Sequence, residues 1–82
     1  MKNLSDERIN QLKKETPIFV GNLIKQARSK RKISQTQLAE AVGKDRQYLY
    51  KIESGKVTPN ISTIAILADA LGLSLEQLIK GG

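Results

Sequence analysis

The segment that most constrains this chain is Ser34 to Gly55, SQTQLAEAVGKDRQYLYKIESG. Counted from Gln35, its apolar residues fall at positions four, eight, fifteen and eighteen, which are Leu38, Val42, Leu49 and Ile52. Ala39 sits at position five and Gly43 at position nine. Two short helices that cross through a tight turn need this pattern. The four apolar side chains face one core, and the small Ala39 lets the second helix approach the first. Gly43 stands where the first helix must end in a left-handed backbone, which glycine adopts without strain. The segment therefore folds as a helical corner.

This spacing is that of a DNA-binding helix-turn-helix, in which the second helix enters the major groove. Composition agrees. The chain has 82 residues, enough for one small domain with one core. Two prolines and few aromatic residues point to an all-helical fold. No cysteine is present, so disulfides and thiolate zinc sites are excluded. No histidine is present, which removes the commonest general base and metal ligand. No phosphate-cradling glycine loop and no carboxylate pair on a cleft suggests an enzyme. The reading is a non-enzyme without a cofactor. No apolar run approaches the roughly 20 residues of a membrane span. The start lacks the apolar middle of a signal peptide, so a cytoplasmic protein is expected.

The net charge of +6 is uneven. Residues 17–34 carry Lys25, Arg28, Lys30, Arg31 and Lys32 with no acidic residue, whereas residues 59–82 carry Lys80 against Asp69 and Glu76. One end suits a polyanion and the other a protein partner.

The helical punctuation can be read along the chain. Ser5 caps a short helix over residues 5–14, with a thin stripe of Leu4, Ile9 and Leu12. Thr16-Pro17 reads as a cap followed by proline at the first helical position, opening a helix to about Arg31 with Val20, Ile24 and Ala27 on one face. Gly21 inside it costs about 1 kcal/mol against alanine, which a close helix crossing would explain. Ser34 caps the helix to Val42, and Asp45 caps the helix from Arg46 to about Ser54. A loop through Pro59 precedes Ile61–Leu71, and Ser74 caps a last helix with Leu75, Leu78 and Ile79. The domains expected are an N-terminal extension over 1–16, the folded domain over 17–80, and a frayed tail at Gly81 and Gly82.

These residues resemble the phage-repressor or Cro-like (XRE) helix-turn-helix proteins. The resemblance runs from about Val20 to Ile79. It rests on Arg28, on S-Q-x-x-L-A-x-x-x-G at Ser34–Gly43, on I-E-x-G at Ile52–Gly55, and on A-L-G-L-S-L-E-x-L at Ala70–Leu78. It implies a compact, all-α, five-helix domain like that of lambda repressor, with an extra short N-terminal helix outside it. It also implies a third helix that reads double-stranded DNA, usually as a homodimer on an inverted repeat. Two positions depart from the family. Lys32 stands where glycine is frequent, and Lys44 stands where an apolar residue is usual. If residue 32 is left-handed, lysine costs about 1 kcal/mol there. Lys44 either lays its stem on the core or marks a looser turn.

With Asp45 as cap, Arg46 and Gln47 begin the reading helix and Lys51 follows one turn later. Arginine matches guanine O6 and N7, and glutamine matches adenine N6 and N7. Related repressors contact bases from the matching positions. Tyr48 and Tyr50 flank this set as base or phosphate contacts. Gln35, Lys44, Lys56 and Asn60 are the phosphate candidates. Arg28 and Glu53 match a pair that the family often joins, which implies a partly buried ion pair orienting the reading helix. Leu73, Leu75, Leu78 and Ile79 are more apolar surface than a short last helix needs and are the candidates for a dimer interface. The functional reading is a repressor-type transcriptional regulator. The alternative is an antitoxin that binds a toxin and represses its own operon. A protein-binding adaptor without DNA contact is the third reading.

Overall fold

Five helices follow one rule of construction at both ends. In the computed structural model, which describes all 82 residues, they are α1 (Asp6–Lys30), α2 (Gln35–Ala41), α3 (Arg46–Glu53), α4 (Ile61–Ala70) and α5 (Leu75–Ile79). Each begins on a polar cap whose side chain accepts a backbone N–H from the first turn: Ser5, Ser34, Asp45, Asn60 and Ser74. Ser34 and Ser74 form reciprocal capping boxes with Gln37 and Gln77. Each helix ends in paired 6→1 and 5→2 hydrogen bonds around one left-handed residue. At α2 these run from Lys44 N to Ala39 O at 2.8 Å and from Gly43 N to Glu40 O at 3.0 Å. The left-handed residue is glycine at 43, 55, 72 and 81, and lysine at 32 with φ 55°. The glycine-for-lysine departure therefore falls on a strained site, as the resemblance implied. Gly81 and Gly82 are not a frayed tail. Their amides donate to Leu78 O and Gln77 O and close α5.

The first helix also differs from the expectation. Residues 5–14 and the segment opening at Pro17 are one 25-residue helix, with Pro17 inside it. Thr16 is not a cap. Proline removes one i→i−4 bond and ordinarily costs about 3 kcal/mol in a helix interior. Here the carbonyl that loses its donor belongs to Lys13, an exposed residue that water reaches, and the proline ring is buried on the domain side. The strongly helix-favouring residues before Pro17 then propagate into the packed part of α1.

The core is one cluster. Ile24 and Ala27 of α1, Leu38 and Ala39 of α2, Leu49 and Ile52 of α3, Ile64, Leu67 and Ala68 of α4, Leu71, and Leu78 of α5 are buried together. The apolar positions of the helical corner thus converge as their spacing requires, with Val42 packed at the margin. α3 lies between α1 and α2, and α5 packs on α1 and α4. Gly21 marks the α1–α3 crossing. A Cβ there would overlap the Ile52 carbonyl oxygen and lie 2.8 Å from that of Glu53. The radius of gyration is 13.5 Å, above the roughly 12 Å expected for this length. The excess comes from α1, whose residues 6–16 are exposed throughout and extend past the core.

Candidate nucleic-acid interface

The corner presents α3 with one face buried and one face free. Leu49, Ile52 and Glu53 are buried, and Arg46, Gln47, Tyr50 and Lys51 are exposed. The exposed four are spaced i, i+1, i+4 and i+5, so they form one face of the helix. Asp45 starts the helix, its carboxylate accepting the Tyr48 N–H at 2.9 Å. Arg46 and Gln47 therefore occupy the free N-terminal turn, with Lys51 one turn on. Gln47 and Lys51 also border a shallow open depression with Asp45, Tyr48 and Val57. The whole proposed reading set thus lies on a single accessible surface.

The two tyrosines separate. Tyr50 belongs to the exposed face. Tyr48 is half-buried and packs against the core cluster, so its ring is mainly structural. Each carries a lysine over its ring: Lys44 Nζ lies 5.4 Å from the centroid of Tyr48, and Lys56 Nζ lies 5.0 Å from that of Tyr50. Such cation–π contacts are worth about 0.5–1 kcal/mol at exposed sites. They hold one ammonium near each end of α3. Lys44 thus lays its chain along Tyr48 and keeps its charge in water, and the turn before it is regular.

The other phosphate candidates are partly engaged within the fold. The Gln35 amide donates to Glu53 Oε1 at 3.0 Å, and the Asn60 side-chain oxygen accepts the Thr63 N–H at 2.8 Å. Each keeps N–H groups free. Arg31, in the basic run after α1, is also engaged: it donates to Leu71 O at 3.0 Å and to Ala27 O at 2.9 Å, which ties α1 to the end of α4. Its part in the fold was not legible, because nothing local links residue 31 to residue 71. Lys25 is a second residue that sequence reasoning missed. It is exposed on α1 and borders a small cleft with Gln35, Tyr50, Glu53 and Ser54, beside the C-terminal end of α3. Only the α1–α3 crossing brings it there.

Behind the free face, α3 is anchored by charge. Arg28 Nε and Nη2 donate to the two carboxylate oxygens of Glu53 at 2.7 and 2.9 Å, and Nη1 donates to the Ile33 carbonyl at 2.7 Å. The side chains are 12% and 3% exposed. Hydrogen bonding to Glu53 raises the Arg28 pKa above its ordinary value; burial opposes this, and attraction to the Glu53 charge adds to it. With Gln35, both carboxylate oxygens of Glu53 have partners, and no buried side-chain N or O in the domain is unsatisfied. The pair inferred by resemblance is present and bidentate.

At the opposite end, Leu78 is 1% exposed and part of the core. It is not available to a second chain, which corrects its place among the interface candidates. The reason is that α5 is short and spends its central residue on α1 and α4. Leu73 and Leu75 are half-buried, whereas Ile79, Ile61 and Ile66 are exposed. No helix is long and apolar enough to cross a membrane.

The fold and this free, basic helix face define a helix-turn-helix protein, and comparison with known proteins agrees. The helix-turn-helix family model HTH_3 matches residues 24–78, and the chain belongs to that family of DNA-binding, non-enzymatic transcription regulators. It is similar to the immunity repressor protein of Bacillus phage phi105, 40% identical over 60 residues that cover 73% of this chain and 42% of the repressor. It is similar to multiprotein-bridging factor 1a of Arabidopsis thaliana, 35% identical over 74 residues, 90% of this chain and 52% of that protein. A third relative is the ImmF control region 10 kDa protein of the same phage, 37% identical over 59 residues, 72% of this chain and 66% of that protein. The chain thus matches about two-fifths to two-thirds of the length of these relatives. No solved structure matches.

Proposed function

We propose that this chain is a repressor-type transcriptional regulator that reads double-stranded DNA with α3 in the major groove. One observation carries the reading: Arg46, Gln47, Tyr50 and Lys51 form the exposed face of a helix whose other face is fixed by Leu49, Ile52 and the Arg28–Glu53 pair. Arg46 and Gln47 make the base contacts, with Lys51 beside them. Lys44 and Lys56, at the two ends of α3, hold the flanking phosphates, and Gln35 and Asn60 add contacts from their free N–H groups. Tyr50 contacts a base or a phosphate, and Tyr48 supports Lys44. Two copies bind an inverted repeat through the weakly charged end, where Ile79, Leu73 and Leu75 meet their equivalents. The similarity to phage immunity and control-region proteins supports a repressor's role.

Alanine at Arg46, Gln47 and Lys51 together tests the reading. Titration of a specific duplex against a scrambled one should show the discrimination lost, about 1–3 kcal/mol for each bidentate contact, while salt-sensitive general binding persists. Unchanged discrimination would move DNA reading away from α3.

A bridging role is the second reading. The match to multiprotein-bridging factor 1a covers 90% of this chain and so reaches the projecting half of α1, which is exposed and bears apolar residues.

A further inference from the structure

The N-terminal half of α1 has no partner within the domain. Residues 6–16 are exposed throughout, and the buried residues of α1 begin only at Pro17. A helical segment of this length is marginal in water without packing. Ile9 and Leu12 are 38% and 37% exposed, and Phe19 is 58% exposed. With Thr16 between them, these residues follow a three-four-three spacing that leads into Leu23. That is the seam by which one helix packs along another.

Charge on the two edges of this seam specifies the occupant. With Ile9 and Leu12 in the seam, Asp6 and Lys13 line one edge, and Arg8 and Glu15 line the other. An antiparallel second copy that sets its Leu12 against Ile9 puts Lys13 opposite Asp6 and Glu15 opposite Arg8. Two-fold symmetry repeats both contacts, so four opposite-charge pairs flank the seam. A parallel copy would put Arg8 against Lys13. An antiparallel copy slipped by seven residues, with Ile9 against Phe19, would put Lys13 against Lys13 and Glu15 against Glu15. Of the three arrangements, only the first is free of like-charge contacts.

We propose that residues 5–16, at the start of α1, bind the same segment of a second copy of this chain as an antiparallel helix pair centred on Ile9 and Leu12. The surface is separate from α3 and from the α4–α5 end. A chain bearing both contacts joins DNA-bound pairs to one another. The pairing stands whether or not α3 reads DNA.

Sedimentation equilibrium over micromolar to submillimolar concentrations tests it. The variants are 82-residue chains in an Ile79→Glu background, which removes association through the exposed isoleucine of α5. The parent should reach twice 9.1 kDa. Arg8→Glu and Glu15→Arg should each weaken association by about tenfold, since each turns two attractive contacts into repulsive ones. The double variant Arg8→Glu/Glu15→Arg should return to near the parent value. Leu12→Glu should be monomeric and still folded, because Leu12 lies outside the core. A single-chain mass throughout would overturn the proposal. Tighter association of Arg8→Glu, as a parallel pair requires, would overturn it too. So would a double variant as weak as either single one.

Discussion

Gly21→Ala sets two opposing effects against each other at the crossing that positions α3. Alanine is favoured over glycine in a helix by about 1 kcal/mol, so on propensity alone the variant should be more stable. Packing opposes it. The added Cβ would lie 2.8 Å from the Glu53 carbonyl oxygen and 3.0 Å from its carbonyl carbon, and would overlap the Ile52 carbonyl oxygen. These are backbone atoms of the last turn of α3, which cannot turn aside as a flexible side chain can. Relief requires α3 to back away from α1. Overpacking of this kind costs about 1–3 kcal/mol. The same shift stretches the Arg28–Glu53 contacts of 2.7 and 2.9 Å, which adds to the cost. Packing wins, with a net loss of about 1–2 kcal/mol. For a domain of this size each kcal/mol moves Tm by about 4–8 °C, so a fall of about 5–15 °C is expected. Thermal unfolding followed by circular dichroism reads it directly. A Tm equal to or above that of the parent would refute the claim that the crossing is closed to a methyl group.

Other expected outcomes rest on separate parts of the structure. Arg28→Met should cost about 3–5 kcal/mol in urea unfolding, because it leaves the buried Glu53 carboxylate with Gln35 alone. Arg28→Met/Glu53→Leu should recover most of that loss, and a double variant no better than the single one would contradict it. The Arg28 pKa is raised in the fold, so the stability linked to its own titration is lost only in strong alkali, as pH rises through that raised value. Lys32→Gly should stabilise by about 0.5–1 kcal/mol, because it relieves a side chain held at φ 55°; a lower urea midpoint would refute this. Lys44→Ala and Lys56→Ala should weaken binding to all duplexes alike and lower the salt slope by about one each, whereas Arg46→Ala should relax selectivity at one base position.

Much of this arrangement was legible in the sequence because it is written in local chemistry. Ser34, Asp45 and Ser74 are polar caps before apolar helices, and each caps the helix it was read to cap. The spacing of Leu38, Val42, Leu49 and Ile52 placed the corner, and Gly21 signalled the crossing. Where the sequence misled, the local signal was ambiguous. Thr16-Pro17 has the same form at a helix start and inside a helix, and only burial of the proline against the domain tells them apart. Gly81 and Gly82 read as a tail, although they are the C-terminal closure of α5. Asn60 looked free for phosphate, yet its oxygen caps α4. The roles of Arg31 and Lys25 depend on contacts between α1 and distant elements, which no spacing within the chain encodes.

The central claim is that the exposed face of α3 selects a base sequence. Selection of bound duplexes from a random library at near-physiological salt tests it most directly. The parent chain should enrich an inverted repeat, and the Arg46→Ala/Gln47→Ala/Lys51→Ala chain should enrich none. A parent chain that enriches nothing, or a triple variant that enriches the same repeat, would contradict it.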